Sequence, residues 1–152
     1  MPVSEICTRN VVCARRDTSV KAAAQLMREY HVGSVVVVEE MGEKRIPKGI
    51  ITDRDIAVAV VALALDPEVI QIGDVTAGAL VSVRENWAIA EVVELMQIRS
   101  LRRMVVADAD GYLFGIVSAD DVLAHLAGEM RNLASMADGE RHREAALRKV
   151  LV

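Results

Sequence analysis

Apolar side chains stand at Val20, Ala23, Ala24 and Met27, with the polar Lys21 and Gln25 between them. Spacing of i, i+3, i+4 and i+7 predicts an amphipathic helix with one buried stripe. With an offset of 69, the same stripe returns at Ile89, Val92, Val93 and Met96. Asp17 or Thr18 is placed to cap the first helix and Asn86 the second. After each helix comes a polar break and then an aliphatic run, SVVVVEE in one copy and RMVVAD in the other. Branched residues without helical spacing predict strands. A turn follows: DADG in the second copy, and a longer EMGEKRIPK in the first, with three extra residues that reduce the offset to 66. The chain then reads GIIT or GIVS, a second strand of each hairpin that runs directly into a helix.

Each unit therefore reads strand, helix, strand, strand, helix. The predicted fold class is α/β (α+β), with tandem duplicated βαββα units related by a pseudo-twofold axis. The first repeat spans 1–66, the second 67–128, and a helical tail 129–152. A single unit of ~60 residues buries too little surface to stand alone, so the copies are expected to pack sheet against sheet.

Two segments leave apolar surface over. The run IAVAVVALAL, from Ile56 to the closing Leu65, is apolar on every face. A helix of that kind needs a partner on the side away from its own sheet. In the tail, Met130, Leu133, Ala134 and Ala137 keep helical spacing until Asp138-Gly139, where a break is expected before ERHREAALRKVLV resumes as a basic helix. That tail either packs on a dimer or docks another protein.

Composition narrows the function. The 152 residues are 53% hydrophobic but only 3% aromatic, so the core is aliphatic. A net charge of −4 argues against a nucleic-acid binder, which needs a basic face. Cys7 and Cys13 form no disulfide framework, and neither they nor His31, His125 and His142 show metal-ligand spacing. The start, MPVSEICTRN, is unlike a signal peptide, and no apolar run reaches the ~20 residues of a membrane span. A soluble, cytoplasmic protein is expected. Among enzyme signatures, Ser/His/Asp and Cys/His sets, a P-loop and G-x-G-x-x-G are all missing, so no catalysis is expected.

The repeated phrase, GIITDRD and GIVSADD, carries the chemistry. Thr52-x-x-Asp55 and Ser118-x-x-Asp121 both fit the capping box, in which hydroxyl and acid satisfy the free amides of a helix start. The same geometry suits a ligand: amides and hydroxyl toward phosphate, acid toward ribose hydroxyls. The two roles are compatible.

The doubled βαββα pattern with GIITDRD and GIVSADD resembles the tandem CBS-domain pair, or Bateman module, in the form of a stand-alone CBS-domain protein. The resemblance covers residues 1 to 128. It implies adenosine-containing ligands (AMP, ADP, ATP or S-adenosylmethionine) in clefts between the repeats, with no required cofactor and no metal. By position, Thr52 and Ser118 would approach phosphate or ribose, and Asp55 and Asp121 would bind ribose. Arg102 and Arg103 in the second copy look like phosphate ligands, although a charged pair there also suits a solvated strand edge. Their counterparts are the uncharged Gly33 and Ser34, so Arg54 is the expected phosphate contact in the first copy. Asn10 and Ala79 fall where relatives line the adenine pocket. Val36 and Val105 replace a frequent proline, and Asp120 brings a charge opposing the arginines. The Ser118/Asp121 cleft is slightly favoured as the working site. Such modules also pair through apolar helices, which again implies a homodimer through 56–65 and its counterpart. Two functions remain: a nucleotide-sensing regulatory module signalling to an effector protein, or a ligand-independent dimerisation and interaction module.

Overall fold

The computed structural model describes residues 1–76 and 78–150, with side chains up to 148. In the first half, β1 (Cys13–Arg15), α1 (Val20–Tyr30), β2 (Ser34–Met41) and β3 (Lys44–Thr52) lead into α2 (Asp53–Ile56), which continues through a π-helical segment at Ala57–Val61. In the second half, α3 (Ile72–Val75) precedes β4 (Ser82–Arg84), α4 (Ile89–Arg99), β5 (Arg103–Ala107), β6 (Leu113–Ser118) and α5 (Ala119–Val150). Two three-stranded sheets result, ordered β1-β2-β3 and β4-β5-β6, each with one parallel and one antiparallel pairing. This is the duplicated βαββα arrangement the hydrophobic pattern predicts.

The valine runs have a structural reason. In β2, Val35 and Val37 join the core under α1, while Val36 and Val38 face the other way and pack with Val105 of β5. In β5, Met104 and Val106 turn toward α4. Strands covered on both faces read as unbroken aliphatic stretches, and the layer around Val36, Val38 and Val105 is where the two sheets meet.

The halves are also interlaced. Ile72, which follows the first repeat, is fully buried in the first core beside Val20 and Ile51. Val3, ahead of the first repeat's strands, is fully buried in the second core beside Val92 and Met104. Backbone bonds fix both crossings: Ile72 N–H to Thr18 O at 2.9 Å, and Val3 N–H to Trp87 O at 2.8 Å. The entry segment of each sequence repeat thus packs on the other repeat.

This crossing explains why the repeated phrase opens with glycine. A Cβ on Gly115 would lie 2.8 Å from Thr8 O and 2.9 Å from Cys7 Sγ, and one on Gly49 would collide with Thr76 Cγ2. Thr8 and Ile116 exchange two backbone bonds, at 2.8 and 3.0 Å, so the entry segment cannot move away cheaply. Gly115→Ala is expected to cost about 1–3 kcal/mol, typical of overpacking, measured as a lowered urea midpoint with unchanged slope.

Local expectations needed correction in four places. Residue 19, not 17 or 18, caps α1: Ser19 Oγ accepts from Ala22 N–H at 3.1 Å, because Asp17 and Thr18 belong to the preceding turn. Asn86 likewise sits in a turn, and α4 starts after Ala88, whose N–H donates to the Glu91 carboxylate at 2.8 Å. The long turn EMGEKRIPK is mostly strand. It reverses tightly at Gly42, where φ is +61, and its extra residues lengthen the hairpin through the pairs Glu39–Ile46, Glu40–Arg45 and Met41–Lys44. Finally, α5 runs unbroken for 32 residues through Asp138-Gly139. One glycine costs about 1 kcal/mol in a helix, less than ending it and nucleating again among flanking Ala, Glu, Arg and Leu. At 1.5 Å per residue α5 is about 48 Å long, and its distal part projects with every described side chain exposed.

Cys7 and Cys13 are free thiols, and burial raises the pKa of both.

Candidate functional site

Both strand-to-helix junctions form the capping box. Thr52 N–H donates to Asp55 Oδ2 at 2.9 Å while Asp55 N–H donates to Thr52 Oγ1 at 3.1 Å. At the second junction Ser118 N–H donates to Asp121 Oδ2 at 2.7 Å and Asp121 N–H to Ser118 Oγ at 3.2 Å. The two differ in one respect. The Ser118 hydroxyl also donates to Asp121 Oδ2 at 2.7 Å, so its proton is engaged. The Thr52 hydroxyl only accepts among the described residues, which leaves its proton for another acceptor. In both boxes the second oxygen, Oδ1, accepts nothing from the described residues.

Each junction opens into a cleft between the repeats. The first cleft, of about 330 Å³, brings Thr52 and Asp55 of the first repeat against Ala79, Leu101, Arg102 and Arg103 of the second. Ile50, Leu80 and Val81 give it an apolar floor. It is of the size and mixed lining typical of small-ligand sites. The second cleft, of about 250 Å³, brings Ser118 and Asp121 against Asn10, Val32, Gly33 and Ser34 of the first repeat. Thr8, His31 and Arg103 also line it. The clefts are pseudo-twofold mates: Thr52 matches Ser118, Asp55 matches Asp121, Ala79 matches Asn10, and Arg102 and Arg103 match Gly33 and Ser34.

Back-to-back packing of the sheets carries the start of β5 to the first repeat's phrase, so Arg102 and Arg103 stand by Thr52 and Asp55, while Arg103, paired with Ser118 in its own sheet, also lines the second cleft. Arg54 is exposed and lines neither cleft. Charge thus concentrates in the first cleft and not in the one the sequence slightly favoured. Among the described residues Arg102 is tied only to Asp120, at 3.4 Å in an exposed ion pair, which contributes little and yields to a better anion. Arg103 makes no ion pair among the described residues.

Several lining residues escaped the sequence reading, among them Leu80, Leu101, Thr8 and His31. The offset of 69 would have found two, since Leu80 falls on Val11 and Leu101 on Val32. It finds them only once each cleft is known to draw one wall from each repeat.

No group of three or more His, Cys, Asp or Glu is placed to hold a metal among the described residues, and no described helix is long and apolar enough to cross a membrane.

Comparison with known proteins places this geometry in a wider set. A family model for the CBS domain matches twice, over residues 3–62 and 72–128. An uncharacterized protein of Methanopyrus kandleri is 35% identical over 121 residues, 80% of this chain, which spans only 60% of that relative's length. Hypoxic response protein 1 of Mycobacterium tuberculosis is 31% identical over 122 residues, covering 80% of this chain and 82% of the relative. The crystal structure of Hypoxic Response Protein I with two coordinated zinc ions superposes with a TM-score of 0.72 at 30% identity, over 82% of this chain and 98% of that one. A CBS domain protein from Pyrobaculum aerophilum complexed with AMP shares the fold, with a TM-score of 0.73 at 24% identity, over 84% and 99% of the two chains.

Proposed function

This chain belongs to the CBS-domain family as a tandem pair, and from that premise we propose that it is a non-catalytic regulatory module that binds an adenine nucleotide between its repeats. The observation that carries the reading is the first cleft, where two guanidinium groups, a hydroxyl with an uncommitted proton and a carboxylate line one cavity from opposite repeats. Arginines pair with phosphate through charge-assisted bonds. Asp55 accepts from ribose hydroxyls, and Ile50, Leu80 and Val81 offer an apolar surface to the base. AMP, ADP and ATP all satisfy this pattern, whereas S-adenosylmethionine offers the arginines a single carboxylate accompanied by an ammonium and a sulfonium cation. The AMP complex of a protein of like fold is consistent with this choice of ligand.

A ligand touching both walls favours one angle between the repeats over others. Such a differential contact is what a regulatory signal to an effector protein requires. Exposed apolar side chains at Val58, Val61 and Leu63, together with Leu123 and Leu126 on α5, supply a surface for a second copy, so a cytoplasmic homodimer completes the proposal. The measurement is a thermal unfolding series with AMP, ADP, ATP and S-adenosylmethionine. At a hundred times Kd a nucleotide adds about 2.7 kcal/mol, a rise in Tm of roughly 5–10 °C for a chain of this size. No rise with any nucleotide would favour the second reading, a ligand-independent interaction module. That reading draws on the Ser118/Asp121 box, whose bonds are already closed on themselves.

A further inference from the structure

The two halves match residue by residue, and at one place outside the clefts they diverge in chemistry. In the first half a cavity of about 190 Å³ lies against the crossing segment, lined by Arg16, Lys48, Gly73, Thr76 and Gly78 together with Val37. It shares no residue with either inter-repeat cleft. The offsets of 69 and 66 set Glu85 in the place of Arg16, Phe114 in that of Lys48, and Ser4, Cys7 and Arg9 in those of Gly73, Thr76 and Gly78. The backbone repeats as well: Gly73 N–H donates to Arg16 O at 3.0 Å, and Ser4 N–H to Glu85 O at 3.1 Å. Lys48 and Phe114 are each the extra residue where the hairpin register shifts.

In the second half this place is filled by the chain itself. Arg9 lies over the Phe114 ring, 3.4 Å from its centroid. Arg9 and Glu85 both act on the Cys7 thiol, in opposite directions, so a cation and an acid stand together there. In the first half glycine replaces the arginine, lysine the ring and arginine the acid, which leaves open space with two cations. Arg16 makes no ion pair among the described residues, and its Nε is 3.1 Å from where a Cβ on Gly73 would be. The neighbouring Asp17 is paired with Arg15 at 3.4 Å. Lys48 meets Glu39 at 3.1 Å in an exposed pair, which contributes little. The Thr76 hydroxyl donates to Ile72 O at 2.6 Å, so recognition falls to the two cations. We propose that this cavity binds a phosphate dianion between the Arg16 guanidinium and the Lys48 ammonium. The guanidinium presents parallel donors to two oxygens and the ammonium a point charge to a third. Its volume is below the range usual for larger organic ligands and suits a small oxyanion. The proposal is independent of the nucleotide reading above.

The test is an amide chemical-shift titration of the full chain with inorganic phosphate, at low ionic strength and about pH 8, where a phosphate group carries close to two charges. The expected result is a saturable shift at Gly73, Thr76 and Gly78 with a Kd of about 1 mM. Arg16→Gln and Lys48→Gln each weaken it about tenfold, and Glu39→Gln, which releases Lys48, tightens it about threefold. Arg16, Lys48 and Glu39 are exposed, and unchanged spectra elsewhere verify the fold of each variant. Arg15→Gln leaves the affinity unchanged, since Arg15 does not line the cavity. The response also persists in the Arg102→Ala, Arg103→Ala double variant, which separates this site from the clefts. Glycerol phosphate is titrated in parallel: equal affinity identifies a phosphomonoester as the ligand, and binding of inorganic phosphate alone identifies the free ion. Shifts that do not saturate, that sodium chloride reproduces at equal ionic strength, or that survive both Gln variants would overturn the proposal and leave the nucleotide reading standing.

Discussion

Replacing Ile72 by alanine is expected to lower unfolding free energy by about 2–5 kcal/mol, the range for emptying a fully buried aliphatic site. Ile72 lies outside the hydrophobic stripe and strands of the first repeat, yet it fills that repeat's core with Val20, Ala23, Val37 and Ile51. The loss would be a large fraction of the 5–15 kcal/mol typical of a domain. Urea unfolding measures it, and hydrogen exchange locates it. Amides of β2 and β3 should lose protection first, even though Ile72 falls in the second repeat by sequence. Leu65, the last residue of the apolar run and partly exposed, is the contrast: Leu65→Ala should change stability by no more than about 0.5 kcal/mol in the monomeric fold. A change that small at Ile72 would refute the interlaced packing.

The second large effect concerns binding. The double substitution Arg102→Ala with Arg103→Ala is expected to weaken AMP by about a hundredfold or more. Each charge-assisted bond to phosphate contributes about 1.5–3 kcal/mol, and 1.4 kcal/mol is tenfold in Kd. Adenosine, which has no phosphate, should lose little. Stability should hold as well, since Arg102 is exposed and its pair with Asp120 is a surface one. Arg54→Ala serves as the control, because Arg54 lines neither cleft and should leave AMP affinity unchanged. Equal loss of AMP and adenosine in the double variant would mean that the arginines hold the cleft open and do not read phosphate.

The contrast between Arg54 and the arginine pair shows what the chain discloses on its own. The stripes Val20 to Met27 and Ile89 to Met96, the valine runs and the two hydroxyl-x-x-Asp phrases are local signals, and each formed the element it predicted. The capping boxes at Thr52 and Ser118 are legible for the same reason: their partners are three residues apart. Which arginine meets which hydroxyl is not local. It depends on sheets packing through Val36, Val38 and Val105, and on Val3 and Ile72 crossing between cores, and no periodicity records that. Packing brings Arg102 and Arg103 to the first repeat's phrase, and Arg103 reaches the second repeat's phrase as well. At Asp138-Gly139 the failure is of a different kind. A turn dipeptide was outweighed by the helix formers on both sides, whose summed preference only the whole of α5 reveals.

The most direct test of the account is AMP titration of the unmodified chain beside Asp55→Ala and Asp121→Ala, each shown to be folded. The account predicts that Asp55→Ala loses AMP and Asp121→Ala keeps it, because the arginines, the Thr52 hydroxyl and Asp55 share the first cleft. Loss of AMP with Asp121→Ala and its retention with Asp55→Ala would contradict it.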